Sequence, residues 1–465
     1  MIHRFFFAAW LVCLLAMNCA PTTQTAVTSV SAWVTSADQS QLLAEQTIPF
    51  HAHPEPDLPS IKIDTGQHYQ PIEGFGFSLT GGSARLIHQL NTMERKKLLT
   101  ELFSPDGLGV SYLRISIGAS DLDPVVFSYD DLPPGTTDPE LAYFSLARDT
   151  QDLIPVLREI LEIRPDLKIM GSPWSPPAWM KTNGESKGGH LKLEFYPTYA
   201  QYFVRYLSDM ETRGIHLDAI TIQNEPEHGG NNPSMLMTAG EQTDFIKNDL
   251  GPAFRVAGLT TKIVIWDHNC DHPEYPLRIL KDPDANSFVE GAAFHMYAGD
   301  ATALGQVNTA FPDKSLYFTE QWTGANGQFG GDFQWHVKNI LIGTMQNWSR
   351  VVLEWNLASD PAYEPHTPGG CTECKGALTI DGSRIIRNVS YYIIGQVARF
   401  VPPGSVRIHC EGINHLSYVA FRRPDREIAL LVLNEDSMAV QFSVTDGNTF
   451  FTAELPAHAA GTFVW

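Results

Sequence analysis

Two glutamates follow apolar runs in a way that suits paired carboxylate chemistry. Glu225 follows Ala219-Ile-Thr-Ile-Gln223 after one residue, set between Asn224 and Pro226, and Glu320 closes Leu316-Tyr-Phe-Thr319 just before Gln321-Trp322. A single loop glutamate is ordinarily a solvated or capping residue. Two of them, each at the end of a β-rich run, can flank a sugar. One carboxyl protonates the leaving oxygen while the other attacks the anomeric carbon or activates water.

A pair of this kind needs elements that bring distant residues together. Eight short β-rich runs recur along the chain: 72–79, 111–117, 168–172, 219–223, 262–266, 291–295, 315–318 and 351–355. Between them lie amphipathic stretches such as 150–163 (Leu153, Ile154, Leu157, Ile160, Leu161), 196–213 and 241–257, each patterned as a crossover helix. Strand and helix alternating eight times, with every gap long enough for a parallel crossover, predict a (β/α)8 barrel over 71–400, with an open doubly wound sheet as the competing fold. The two glutamates end the fourth and seventh runs, across the barrel mouth from each other. After residue 400 the runs 417–421, 428–433, 439–444 and 449–455 alternate between turn signals, as in a small antiparallel β-sandwich over 401–465.

The opening 20 residues place Arg4 before the apolar run Phe5 to Met17, the layout of a secretory signal peptide and short for a membrane span. Cys19 after Leu15-Ala16-Met17-Asn18 fits a bacterial lipobox poorly. Residues 21–70 read as a leader with N-terminal strands, including the alternating Ser31-Ala-Trp-Val-Thr35, that join the sandwich. The chain is expected to be exported to the cell envelope or beyond, with no transmembrane span once mature. Its 465 residues, 43% hydrophobic and 18% charged, can bury a large core, while a formal net charge of −20 opposes nucleic-acid binding.

Further strand-end residues cluster in motifs: Gly74-Phe-Gly-Phe-Ser-Leu-Thr-Gly-Gly-Ser-Ala84, Arg114-Ile-Ser-Ile-Gly-Ala-Ser-Asp121, Ser172-Pro-Trp-Ser-Pro-Pro-Ala-Trp179, Lys181-Thr-Asn-Gly184, Asn224-Glu-Pro226, His295-Met-Tyr297, Thr319-Glu320 and Trp355-Asn-Leu-Ala358. In this order they resemble glycoside hydrolase family 30, and most of all its glucosylceramidase branch. The resemblance runs from about Ile72 to the C-terminus. It implies a retaining β-glucoside hydrolase with Glu225 as general acid/base, Glu320 as nucleophile and carboxyls roughly 5 Å apart. It also implies that Asp121, Trp174, Asn224, Trp355 and Asn356 bind the sugar, that His295 and Tyr297 orient Glu320 or touch substrate, and that no metal or other cofactor is used. These roles call for a raised pKa at Glu225 and donors that keep Glu320 ionised.

Some features point elsewhere. Arg114 lies inside a strand, where a buried guanidinium needs a carboxylate partner, and either glutamate qualifies. Asp267-His268-Asn269 beyond the fifth run could suggest a metal site, but nothing completes a ligand set. In an exported chain Cys371-Thr-Glu-Cys374 suits a loop disulfide or plain thiols better than a zinc or redox pair. Thr319-Glu320-Gln321, Leu353-Glu354-Trp355 and the segment Gly369-Gly-Cys-Thr-Glu-Cys374 depart from the glucosylceramidase pattern. The substrate, a β-glucoside of glycolipid or β-glucan type, therefore has endo-β-1,6-glucan as an alternative to glucosylceramide. A carbohydrate-binding protein without turnover is a third reading, but it would not need a paired acid and nucleophile.

Overall fold

In the computed structural model, which describes Met1 and residues 29–465 apart from Pro54 and Pro56, the eight runs close into a barrel of parallel strands. These are β1 (Gly74–Leu79), β2 (Tyr112–Ser116), β3 (Lys168–Ser172), β4 (Ala219–Thr221), β5 (Lys262–Asn269), β6 (Val289–His295), β7 (Ser315–Glu320) and β8 (Ser349–Asn356). Each strand pairs with the next, and β8 pairs back onto β1. The open doubly wound alternative is thereby excluded. The signal-like opening and Cys19 lie outside the described residues. Among the described residues no helix is long and apolar enough to cross a membrane.

The crossover helices follow from the apolar spacing. Leu153–Ile163 turns Leu153, Ile154, Leu157 and Ile160 onto the barrel wall. Tyr196–Glu211 buries Tyr199, Tyr202, Phe203 and Tyr206. The stretch 239–257 stays helical through a wider π-type turn at Ile246–Leu250.

The C-terminal strands form a second sheet of nine strands, joined by the N-terminal strands Ser29–Thr35, Ala44–Pro49 and Ser60–Pro71. Ser29–Thr35 pairs with Ala460–Val464, so residues near both ends of the chain share one ladder. This sheet encloses its own apolar core, which includes Val30, Val34, Ile61, Phe442 and Phe463. It is fastened to the barrel where Trp33 stacks on Phe400 at 4.3 Å, and where buried Gln396 donates to Thr35 and accepts from Thr462.

Candidate active site

Inward-facing positions recur every second residue along a barrel strand. Tyr112, Met170, Ala219, Ala293, Tyr317 and Leu353 fill an apolar layer inside the barrel. Two residues further along the same strands stand Arg114, Ser172, Thr221, His295, Thr319 and Trp355, all buried at the mouth. β5 breaks the alternation. Val264 belongs to the apolar layer, so Trp266 is next in phase, yet the ladder slips between Trp266 and His268. Trp266 and Asp267 take φ values of 72° and 65° there. This bulge sends Trp266 outward onto Tyr275 and turns Asp267 into the barrel.

Asp267 is the hub of the mouth. Its Oδ2 accepts from Arg114 Nη2 at 2.8 Å, Thr221 at 2.7 Å and Ser172 at 3.0 Å. Its Oδ1 accepts from Thr319 at 2.7 Å and His295 Nε2 at 3.1 Å. Burial opposes ionisation, but Arg114 and His295 hold this carboxyl far below the usual range. Arg114 also donates to Glu320 Oε2 and Asn224 Oδ1, each at 2.7 Å, and its guanidinium lies 4.8 Å from the Trp174 ring centre. The strand arginine thus takes Glu320 and Asp267 as its two carboxylates.

Glu225 sits at φ 46°, a left-handed conformation that costs a non-glycine residue about 1 kcal/mol. Hydrogen bonds hold it there: Asn224 N donates to Pro173 O, Glu225 N to Asp267 O, and His228 N to Glu225 O. One carboxylate oxygen of Glu225, one of Glu320 and a ring nitrogen of His295 lie within 4.8 Å of one another. His295 donates through Nδ1 to Glu225 at 3.1 Å, and the Tyr297 hydroxyl donates to Glu320 Oε1 at 2.9 Å. Burial disfavours the His295 cation, but Glu320, Asp267 and Glu225 together push it up to about 9.

The two glutamates respond to this setting in opposite ways. Burial works to raise Glu225, but the His295 hydrogen bond and charge, helped by His268 and His228, bring it below its ordinary value. Burial raises Glu320, and Glu225 and Asp267 add to the rise against His295 and Arg114. A raised Glu225 beside a readily ionised Glu320 is therefore not what the free cleft holds. The cationic His295, which the sequence does not reveal as charged, favours ionisation of both carboxyls, through a hydrogen bond and its charge at Glu225 and through its charge at Glu320.

Both carboxyls open into a cleft of about 340 Å³. Asp121, Trp174, Trp322 and Trp355 wall it together with Cys371 and Cys374, while His228, Asn231, His268 and Asn269 line it as well, with Tyr297 between the two carboxyls' strands. Trp174 stacks on Trp355 at 5.4 Å. Asp121 is pushed up to about 7, first by burial and then by Glu320.

Comparison with known proteins decides what kind of cleft this is. Residues 72–401 match the glycosyl hydrolase family 30 TIM-barrel domain and residues 404–463 the family 30 β-sandwich domain. An endo-1,6-β-D-glucanase of Aspergillus fumigatus is 32% identical over 95% of this chain and 96% of its own. A solved endo-β1,6-glucanase superposes with a TM-score of 0.88 at 33% identity, covering 94% of this chain and 99% of that one. The lysosomal acid glucosylceramidase of Mus musculus is 29% identical over 87% and 83% of the two chains.

This chain belongs to glycosyl hydrolase family 30. As a family 30 glycoside hydrolase it gathers Glu225, Glu320, Asp121, Trp174, Tyr297 and Trp355 around one cleft. Three other expected site residues stand behind the lining. Asn224 gives its Oδ1 to Arg114. His295 is fully buried between Glu225 and Asp267. Asn356 is turned away: past the shift in the β8 ladder between Glu354 and Asn356, its Oδ1 accepts from Thr80 and Ser83 and ties down the start of the helix after β1.

Residues that sequence reasoning did not assign also shape the family 30 site. Asp267 was visible only as part of a strand-end polar string, and its bulge has no local signature. The demand of Arg114 for a carboxylate was the signal that could have found it. Cys371 and Cys374 form the one disulfide among the described residues, with Cys270 and Cys410 as free thiols.

Proposed function

We propose that this family 30 glycoside hydrolase is an exported, retaining enzyme that cleaves β-1,6-linked glucan. The observation that carries the mechanism is the closeness of the two glutamates. A separation below 5 Å between their nearest oxygens leaves no room for the water an inverting enzyme seats between its carboxyls, and it suits direct attack on the anomeric carbon. In this reading Glu320 is the nucleophile, since Arg114 and Tyr297 donate to its two oxygens and stabilise its anion. Glu225 is the acid and then the base. For this the proton must reside on Glu225 once a sugar lies between them, and the positive charge growing at the anomeric carbon favours an ionised Glu320.

The leaving group then departs on the Glu225 side, where His228 and His268 are neighbours. Together with Asn231 and Asn269 they give the cleft a hydrogen-bonding lining there. Such a lining suits a second sugar better than the acyl and sphingoid chains of a glycolipid. The near full-length relationship to endo-1,6-glucanases supports the same choice over glucosylceramide.

The test is sugar release from β-1,6-glucan and from glucosylceramide by one enzyme preparation, with the first product followed by NMR. Faster release from the glucan and an initial β anomer are expected. Preferential release from glucosylceramide would overturn the substrate, and an initial α anomer would overturn retention.

A further inference from the structure

The segment between β8 and the last barrel helix does more than border the cleft. Thr367 N donates to Asp121 O at 2.9 Å, Gly370 N to Thr367 O at 2.9 Å, and Cys371 N to the Asp121 carboxylate Oδ2 at 3.3 Å. A Cβ at Gly370 would stand 2.3 Å from Asp121 O, so only glycine lets the segment press this close. Thr367 Oγ1 also donates to Asn232 O, and Asn232 Nδ2 donates to Pro368 O at 2.9 Å, which fastens the segment to the loop after β4. On the far side Gly324 pairs with Cys374 and Ala325 N donates to Glu373 O, which fastens it to the loop after β7.

The disulfide joins the two ends of this bridge. Cys371 carries the donor to Asp121, and Cys374 carries the pairing with Gly324. The sulfur-bearing residues pack with Trp174, Trp322 and Trp355, so the same covalent tie that places the amide also forms a wall beside the aromatic residues. Without the tie the amide of Cys371 has only the hydrogen bonds at Thr367 and Gly370 and the pairing of Cys374 with Gly324 to hold it in place. Asp121 is buried and has no cationic partner among the described residues, so its carboxyl depends on such a fixed donor to stay oriented.

We propose that the Cys371–Cys374 disulfide is a specificity-determining strap of the sugar pocket: it positions Asp121 and closes the pocket beside Trp322, and so sets affinity for the bound sugar rather than the rate of bond cleavage. The inference rests on reading the cleft as a pocket for a β-glucosyl unit and is independent of what that unit is linked to. The two cysteines act through Asp121 and the aromatic wall, and so are positioning residues.

The experiment compares wild type, the C371S/C374S variant, and wild type reduced in its native state by dithiothreitol. The dithiol supplies two electrons and two protons, leaving two protein thiols and a cyclic disulfide. Cys371 is half-exposed, so the reductant can reach the bridge without unfolding. Hydrolysis of an aryl β-glucoside gives KM and kcat, and calorimetric titration with a glucose-configured iminosugar gives Kd. Loss of one fixed donor to a buried carboxyl predicts a rise of about tenfold in KM and Kd, with kcat changed by less than about threefold. In an Asp121→Asn background, opening the bridge should add less than about twofold, because the donor's target is already altered.

KM and Kd within about twofold of wild type in the variant and the reduced enzyme would sink the proposal, as would a fall in kcat alone. A full tenfold loss persisting in the Asp121→Asn background would also sink it. If C371S/C374S does not fold, the reduced enzyme answers the question. Wild type that binds the iminosugar but cleaves no glucoside would overturn the hydrolytic reading while Kd still tests the strap.

Discussion

Two layers of the same barrel, two residues apart on the same strands, do opposite work. In the inner layer Tyr112, Met170, Ala219, Ala293, Tyr317 and Leu353 pack apolar surface. In the outer layer Arg114, Ser172, Thr221, His295, Thr319 and Trp355 surround buried charge. The separation is only about 7 Å. The inner layer gains stability from burial, whereas the outer layer gives some up to hold charges out of water. What it obtains is a set of dipoles and charges already oriented before substrate arrives, the condition under which electrostatic stabilisation is most effective. The difference teaches that one regular scaffold can be stabilising and reactive along the same strand, provided the change is confined to the strand ends.

Substitutions in each layer can break or sharpen this contrast. The largest effect is expected at Glu320→Gln, which should lower kcat on an aryl β-glucoside by at least about a thousandfold with little change in thermal midpoint. Near-normal turnover would remove Glu320 from the chemistry. Asp267→Asn comes next. It leaves Arg114 and His295 without their shared anion and should cost about 3–5 kcal/mol of stability, together with much of the activity, as read by denaturant unfolding and steady-state rates. If stability fell while activity held, the hub would be structural only.

Leu353→Ala in the inner layer should cost about 2–5 kcal/mol while leaving kcat/KM of the folded protein within about threefold. A large kinetic loss would show that the layers are coupled. The smallest and most graded effect concerns His295. Its folded pKa of about 9 exceeds the ordinary 6.5, so its contribution to stability is complete below pH 6.5 and lost as pH rises through 9. The stability difference between wild type and His295→Gln should therefore shrink over that interval, whereas the deficit of Leu353→Ala should stay flat. Parallel pH curves for the two variants would contradict the charged His295.

Much of this was determined by the sequence alone, because it rests on local pattern. Apolar runs at barrel spacing with amphipathic stretches between them specify β1 to β8, and a glutamate directly after such a run must appear at the mouth. Glu225 and Glu320 were legible for that reason, and so was the aromatic character of the wall at Trp174 and Trp355. Tertiary structure decided the features that depend on broken periodicity or on distant partners. The bulge at Trp266 and Asp267 shifts β5 by one residue and brings in the hub. The slip in β8 turns Asn356 away from the cleft to Thr80 and Ser83. Three carboxylates converging on His295 charge it, and a disulfide over 100 residues from Glu225 becomes a wall of the pocket. Periodicity is a property of neighbours along the chain, but charge and register are fixed only when residues far apart in sequence come within a few ångströms of one another.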